Sequence, residues 1–144
     1  MLYFDTSFLV PMLVAEETSK RVEAFLLALS PEQDLAVSQW TRVEFATVLS
    51  RLVRMQQLGR QDARGCSIRF DAFLEQSFTI LTPTLADYQL CWNFITRFDN
   101  TLRAGDALHL AIADNRKCEE LYTLDTGLLQ AGELLDIPVS RGIK

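Results

Sequence analysis

Residues 2–7 read Leu-Tyr-Phe-Asp-Thr-Ser, a short apolar run that ends in an aspartate followed by two hydroxyl residues. The run has the length and composition of a buried β-strand, and Asp5 is the first polar residue after it. A second segment of this kind, residues 120–125, ends in Asp125, two residues after Thr123. In an open α/β sheet, the carboxyl ends of parallel strands meet at one edge, where ligands bind. The two segments therefore predict a sheet with acidic side chains at that edge.

Short apolar strands alternate with longer amphipathic segments along the chain, a pattern typical of βα units around a mostly parallel sheet. Strands are predicted near residues 2–5, 35–37, 79–82, 120–124 and 137–139. Helices are predicted near residues 7–14, 18–29, 39–56, 60–75, 85–98 and 106–116. We expect an α/β fold with a central, mostly parallel sheet of four to five strands. A length of 144 residues, 49% of them hydrophobic, suits a single domain over residues 1–144.

The composition excludes several classes of protein. A formal net charge of -5 argues against a protein that coats nucleic acid by bulk electrostatics. No apolar run approaches the roughly 18 residues that span a bilayer. The N-terminus has no basic segment of the kind that begins a signal peptide, so no membrane association and a cytoplasmic location are expected. The 3 cysteines lie far apart without CxxC spacing, which indicates neither a disulfide framework nor a zinc site.

Four acidic residues lie at predicted boundaries between elements: Asp5, Glu44, Asp106 and Asp125. Each also has a purely structural interpretation. Asp5 and Asp106 can cap the helices that follow them. Thr41 and Glu44 match the spacing of a capping box, and Asp125 can belong to a turn. Helix capping does not explain why Asp5 and Asp125 both follow strands directly and both have small hydroxyl neighbours.

A cluster of carboxylates has a chemical consequence. Four converging carboxylates repel one another and take up protons unless a cation neutralises them, and Mg²⁺ prefers oxygen ligands. A metal ion at such a site activates water and offsets the charge that develops on a phosphate under attack. His109 is the only histidine, so a mechanism with two histidines and the RNA 2′-OH as nucleophile is not available. Because its neighbours are apolar, packing beneath the site is the favoured interpretation of His109, with contact to a ligand carboxylate as the alternative.

The sequence also resembles a known family, and four segments carry the resemblance: Leu2–Ser7, Thr41–Glu44, Leu102–Ala111 and Thr123–Asp125. They are similar to the corresponding segments of the PIN-domain ribonucleases, and most of all to the VapC toxins of bacterial toxin–antitoxin pairs. The resemblance spans essentially the whole chain. It implies a PIN-like three-layer α/β/α domain.

The resemblance further implies an endoribonuclease that depends on Mg²⁺ or Mn²⁺ and attacks RNA with water. In such an enzyme four carboxylates ring one or two ions and three hydroxyl side chains support them, here Asp5, Glu44, Asp106 and Asp125 with Thr6, Ser7 and Thr123. Asp5 and Asp106 are the expected direct ligands. Glu44 and Asp125 are expected to bind through water or to position the attacking water.

Partners follow from the same resemblance. It implies a cognate small antitoxin protein, whose C-terminal segment offers a basic side chain to the acidic site, and a homodimer. The apolar segments 8–14 and 45–53 contain more large hydrophobic side chains than one face of a small sheet readily covers, which is a second reason to expect a partner chain.

Arginines are concentrated in residues 39–69, which contain six arginines and two acidic residues. Because a guanidinium binds phosphate through two hydrogen bonds, Arg51 and Arg54 are candidates for contact with RNA. Arg103, three residues before Asp106, is a third candidate. An ordinary solvated helix face and pairing with acidic residues of a protein partner remain open interpretations of this region.

Two other classes of protein fit part of the pattern. A phosphatase of the haloacid dehalogenase type also has an aspartate after its first strand, but it needs an acid two residues later, where this chain has Ser7. The remaining alternative is a catalytically inactive PIN-like module that binds other proteins. Measurement of bound Mn²⁺ separates this module from a nuclease.

Overall fold

Every neighbouring pair of strands in the central sheet is parallel. The computed structural model describes residues 1–144, and its strands are β1 (Leu2–Phe4), β2 (Leu35–Ser38), β3 (Thr79–Leu81), β4 (Glu120–Tyr122) and β5 (Val139–Ser140). They lie in the order β3-β2-β1-β4-β5. The predicted parallel sheet of four to five strands is confirmed.

Seven α-helices connect and flank the strands: α1 (Thr6–Leu9), α2 (Ser19–Ala28), α3 (Gln39–Arg54), α4 (Arg60–Ser77), α5 (Leu85–Ile95), α6 (Ala104–Asn115) and α7 (Thr126–Leu134). The predicted helix over 7–14 is instead a short α1 followed by one 3₁₀ turn at Val10–Met12, which contains Pro11. Proline lacks the N–H that a continuing α-helix needs. Helix α7 was not predicted, because Asp125 and the residues after it were interpreted as a turn. No helix is both long and apolar enough to cross a membrane.

Side chains that alternate along the inner strands divide the core into two layers. Leu2 and Phe4 of β1 lie in one cluster with buried residues of α1 to α4, including Phe8 and Phe45. Tyr3 points to the other face, in a cluster formed largely by α5, α6 and α7. This is the predicted three-layer α/β/α arrangement. Burial of each large apolar side chain contributes roughly 1.5–3 kcal/mol to the free energy of unfolding.

Several large side chains of the apolar segments 8–14 and 45–53 are buried in this core. Phe8 and Leu9 have 0% exposed surface, and Phe45 and Leu49 have 1% and 4%. Six other large apolar side chains of these segments are only half-buried, so the expectation that they meet a partner chain stays a prediction: Met12, Leu13, Val14, Val48, Leu52 and Val53. Large exposed apolar side chains lie elsewhere, and α5 carries three of them, Leu85, Tyr88 and Trp92.

The start of α3 corrects one interpretation of the sequence. The capping box of α3 is formed by Ser38 and Thr41, so the proposed box of Thr41 and Glu44 was wrong and Glu44 lies one turn further inside the helix. Gly59 is the N-cap of α4, and α3 ends at Arg54. Thr84 and Asp87 form the capping box of α5.

Asp87 also connects α5 to the end of α6. Its Oδ1 accepts a hydrogen bond of 2.7 Å from Asn115 Nδ2, and its Oδ2 accepts one of 2.7 Å from the Thr84 N–H. Burial alone raises the pKa of Asp87, but these donors outweigh burial and hold the pKa below its usual value. The contact fixes helix α6, which carries Asp106, against its neighbour.

The strand order reverses beside β1, because the chain adds β2 and β3 on one side of it and β4 and β5 on the other. Reversal of this kind opens a crevice at the carboxyl ends of the two adjacent strands, here β1 and β4. Asp5 follows β1 directly, and Thr123 follows β4 directly.

Candidate active site at the carboxyl edge of the sheet

Asp5 is the most enclosed of the four predicted acids, with 3% of its surface exposed. Its carboxylate accepts hydrogen bonds from Thr123 Oγ1 at 2.7 Å, from Ser7 Oγ at 2.8 Å and from the Phe8 N–H at 3.0 Å. Burial raises the pKa of Asp5, whereas these donors and the nearby His109 oppose that rise. The bond from Phe8 makes Asp5 the N-cap of α1, so Asp5 both caps a helix and lies at the crevice.

Glu44 lies on α3 and is bound at one oxygen by two side chains. Thr6 Oγ1 donates to Glu44 Oε2, and His109 Nε2 lies 2.6 Å from the same atom. Burial by itself raises the pKa of Glu44, but the hydrogen bond and charge of His109, with the Thr6 hydroxyl, lower it below its usual value. Of the three hydroxyl residues predicted as supports, Thr6 therefore contacts Glu44, while Ser7 and Thr123 contact Asp5.

His109 corrects the favoured interpretation of the sequence, which placed it beneath the site as a packing residue. It is 1% exposed, and its Nδ1 lies 2.8 Å from Tyr3 Oη, while Nε2 contacts Glu44. In either charge state Nε2–H donates to the carboxylate; the Tyr3 hydroxyl donates to Nδ1 of the neutral ring, and Nδ1–H donates to Tyr3 Oη in the protonated ring. Burial by itself lowers the pKa of His109, but Glu44 outweighs burial and raises it. The available signal was the spacing of three residues from Asp106, which puts His109 on the same helix face.

Asp106 and Asp125 lie at the starts of α6 and α7, the helices that precede and follow β4 in the chain. Asp125 is the N-cap of α7 and accepts a 2.9 Å hydrogen bond from the Leu128 N–H. Asp106 is in the first turn of α6, where the N-cap is Arg103, so its interpretation as a cap was wrong. Burial and then the charges of Asp125 and Glu44 raise the pKa of Asp106 to about 6. Its carboxylate is thus close to other negative charges without a partner of its own.

Three of the predicted acids line one cavity of about 390 Å³. Its lining includes Glu44, Asp106 and Asp125, with Arg103 also at its wall. Asp5 does not line the cavity, but its charge contributes to the raised pKa of Asp106. The arginines predicted to contact substrate also divide into two groups. Arg103 lines the cavity, whereas Arg51 and Arg54 do not.

Gly105 allows α3 and α6 to approach each other at this cavity. A Cβ atom built on Gly105 would lie 2.6 Å from Glu44 Oε1 and 3.1 Å from Trp40 Nε1. A side chain at this position would therefore push Glu44 away from Asp106. The glycine is needed for close packing and not for an unusual backbone conformation.

The acids fit a hard divalent cation in charge and in donor type. All four offer carboxylate oxygens, which Mg²⁺ and Mn²⁺ prefer. A cation would also relieve the repulsion that raises the pKa of Asp106. No three His, Cys, Asp or Glu side chains converge as a preformed metal site. The four carboxylates therefore supply suitable ligands without forming a closed set around one point.

Comparison with known proteins decides the family. The family model of the PIN domain matches residues 2–134, which is most of the chain. This chain belongs to the PIN domain family. No curated protein sequence matches it.

Solved structures share the fold of this PIN domain at low sequence identity. FitAcB from Neisseria gonorrhoeae is 22% identical, with a TM-score of 0.75 over 99% of this chain and 98% of that chain. The VapC20 toxin of Mycobacterium tuberculosis, described as cleaving the Sarcin-Ricin loop, is 18% identical, with a TM-score of 0.73 over 92% of this chain and 95% of that chain. VapBC2 from Rickettsia felis, bound to a promoter DNA fragment, is 14% identical, with a TM-score of 0.74 over 97% and 98% of the two chains.

The repulsion at Asp106 gives a direct prediction. Replacement of Asp125 by asparagine removes the neighbouring charge with the largest effect on Asp106 and keeps a good helix cap. We expect Asp125→Asn to lower the pKa of Asp106 from about 6, as measured by NMR titration of carboxyl-labelled aspartates without divalent ions. Asp114→Asn, at the far end of α6, is the matched control and leaves the titration unchanged. An Asp106 titration that is the same in Asp125→Asn and the parent protein contradicts the proposed interaction.

Proposed function

We propose that this PIN domain, residues 1–144, is an endoribonuclease that depends on Mg²⁺ or Mn²⁺ and acts as the toxin of a type II toxin–antitoxin system. The observation that carries the proposal is that Glu44, Asp106 and Asp125 line one cavity, with Asp5 at the adjoining strand end. Charge repulsion around Asp106 makes this arrangement unfavourable without a cation.

Each acid has a proposed role. Asp106 accepts no hydrogen bond and lines the cavity, so we assign it as a direct ligand of the cation. Asp5 is assigned as a second direct ligand on the family resemblance and its place directly after β1, although its oxygens already accept bonds from Ser7, Phe8 and Thr123. Glu44 and Asp125 each have a donor at one oxygen, and we assign them to water held between the cation and the protein. When bound, the cation lowers the pKa of a water and offsets charge on the phosphate.

Other side chains hold the acids in place or contact the substrate. Thr6 and His109 fix the orientation of Glu44, and Tyr3 fixes the imidazole from its other side. Since Nδ1 and Nε2 of His109 are both engaged within the protein, His109 positions Glu44 and does not exchange protons with RNA. Arg103, at the wall of the cavity, is placed to bind a phosphate oxygen. Arg51 and Arg54 are proposed as contacts for RNA beyond the cavity.

A partner protein belongs to the same proposal. Among the proteins with this fold are VapBC2 from Rickettsia felis and a toxin–antitoxin complex from Klebsiella pneumoniae. We assign this chain a cognate small antitoxin, whose basic side chain would compete with the cation for Asp106 and its neighbours. A homodimer and a cytoplasmic location, where RNA is available, complete the proposal. The second candidate function is a catalytically inactive PIN-like module that binds proteins.

Cleavage of RNA tests the enzymatic part. With Mg²⁺ or Mn²⁺ the purified protein should cut RNA and leave 5′-phosphate and 3′-hydroxyl ends, since water attacks phosphorus. Excess EDTA should abolish cleavage. Asp106→Asn should reduce the rate by at least about 100-fold, because removal of a ligand takes away several kcal/mol of charge stabilisation. Its thermal unfolding temperature without divalent ions should not fall, since the ionised carboxylate is unfavourable in the folded protein.

The controls separate this activity from contamination and misfolding. Asp114→Asn also removes one carboxylate from α6, but outside the cavity, and should cleave RNA at the parental rate. Products with 2′,3′-cyclic phosphate ends would contradict water attack. Full activity of Asp106→Asn would contradict the site, and a folded parent protein that binds no Mn²⁺ and cuts no RNA would favour the protein-binding module.

Co-expression tests the partner. The small open reading frame adjacent to the gene should encode a protein that co-purifies with this chain and suppresses RNA cleavage. Because its basic side chain and the cation compete for the same carboxylates, excess Mn²⁺ should weaken the inhibition. The toxin assignment is wrong if no neighbouring product binds or inhibits the active nuclease, and the enzyme assignment then stands alone.

A further inference from the structure

A continuous surface leads along α3 from the acidic cavity to a second cavity between α3 and α4. The acidic cavity and the adjoining depression share Val43 and Thr47. That depression and the second cavity share Ala46, Ser50 and Arg54. We call this surface the α3 path, and the second cavity the α3–α4 cavity.

The spacing of residues along α3 explains why the path is open. Val43, Thr47, Ser50 and Arg54 follow one another at intervals of four, three and four, so they lie on one helix face. All four are exposed. Thr47 and Ser50 are small and leave a shallow channel between the larger side chains at its ends. From Val43 to Arg54 the path is roughly 16 Å long, at about 1.5 Å per residue.

The α3–α4 cavity is positively charged and has no acidic residue in its lining. It measures about 350 Å³, and Arg54, Arg60 and Arg64 surround it above an apolar floor that includes Leu49 and Val53. None of the three arginines forms an ion pair. Arg54 donates a 2.8 Å hydrogen bond to Ser50 Oγ, and this neutral partner leaves its charge uncompensated.

Another arginine of α3, unlike these three, has acidic partners. Arg42 is paired with Asp71 at 2.6 Å and with Glu75 at 3.1 Å, so its charge is compensated within the protein. The chain has enough acidic residues to neutralise its arginines, with 19 Asp and Glu against 14 Lys and Arg. Three unpaired guanidinium groups around one cavity are therefore a local feature and not a consequence of overall charge.

We propose that the α3–α4 cavity binds backbone phosphates of a single RNA strand that runs along the α3 path from the acidic cavity. This inference rests on the proposed ribonuclease function. Guanidinium groups bind phosphate oxygens through two parallel hydrogen bonds, and an acidic site repels RNA unless positive charge holds the strand nearby. Continuity with the acidic cavity favours RNA over an acidic protein as the occupant, because a strand reaching the site must cross the adjoining surface.

Binding measured in EDTA tests the proposal without cleavage. The probe is a fluorescein-labelled single-stranded oligouridine of about 12 nucleotides, within the range of known single-strand sites, followed by fluorescence anisotropy at several salt concentrations. The double variant Arg60→Ala with Arg64→Ala should bind at least about 10-fold more weakly than the parent. Its slope of log K against log salt should be shallower by about 0.7 for each phosphate that the variant no longer neutralises.

Matched variants make the result specific. Arg69→Ala with Arg97→Ala removes the same charge from outside the cavity, so the parental affinity should be largely kept. Arg60→Lys with Arg64→Lys keeps the charge without the two-hydrogen-bond geometry, so it should restore the salt slope and part of the affinity. This lysine variant also serves if the alanine variant does not fold.

Three outcomes overturn the proposal. The first is an unchanged salt slope in Arg60→Ala with Arg64→Ala, and the second is an equal loss of affinity in the Arg69 and Arg97 control. The third is parental RNA binding by the cavity variant together with failure to bind the co-expressed antitoxin, which assigns the cavity to a protein. If the parent protein cuts no RNA but the cavity variants alone fail to bind RNA, the binding site stands and the ribonuclease proposal fails.

Discussion

The buried carboxylate of Asp5 is the constraint on which the site depends. A carboxylate removed from water is strongly destabilised unless hydrogen-bond donors surround it, and here Ser7, Phe8 and Thr123 supply them. Thr123 belongs to the segment after β4, so the donors join the ends of two adjacent strands at the reversal of the sheet. The hydrogen bonds that fix the Asp5 carboxylate therefore also hold the ends of β1 and β4 close to each other.

Charge is distributed unequally among the acids around this point. Glu44 is stabilised by Thr6 and His109, and its pKa is lowered, whereas the pKa of Asp106 is raised by burial and by its acidic neighbours. Glu44 therefore behaves as a fixed, ionised carboxylate, whereas Asp106 is held in an unfavourable environment that a cation would improve. Asp5 and Asp125 in addition cap α1 and α7, so loss of either affects stability as well as chemistry.

Local sequence patterns predicted the features that depend on neighbouring residues. Asp5 and Asp125, which follow apolar runs, indicated where β1 and β4 end. Contact of His109 with a ligand carboxylate was left as the alternative, because its partners Tyr3 and Glu44 are far from it in sequence and their approach depends on packing of α3, α6 and β1. The arginines of residues 39–69 were equally ambiguous, since only the structure separates the paired Arg42 from the unpaired arginines of the α3–α4 cavity.

The most direct test of a cation at the acidic cavity is anomalous X-ray scattering from crystals soaked with Mn²⁺. The repulsion among the four carboxylates predicts a manganese peak within coordination distance of Asp106, with Asp5, Glu44 and Asp125 around it. The peak should disappear in Asp106→Asn crystals and persist in Asp114→Asn crystals. Manganese bound only away from the cavity, or absent at a concentration that supports RNA cleavage, would contradict a metal-dependent site at the carboxyl edge of the sheet.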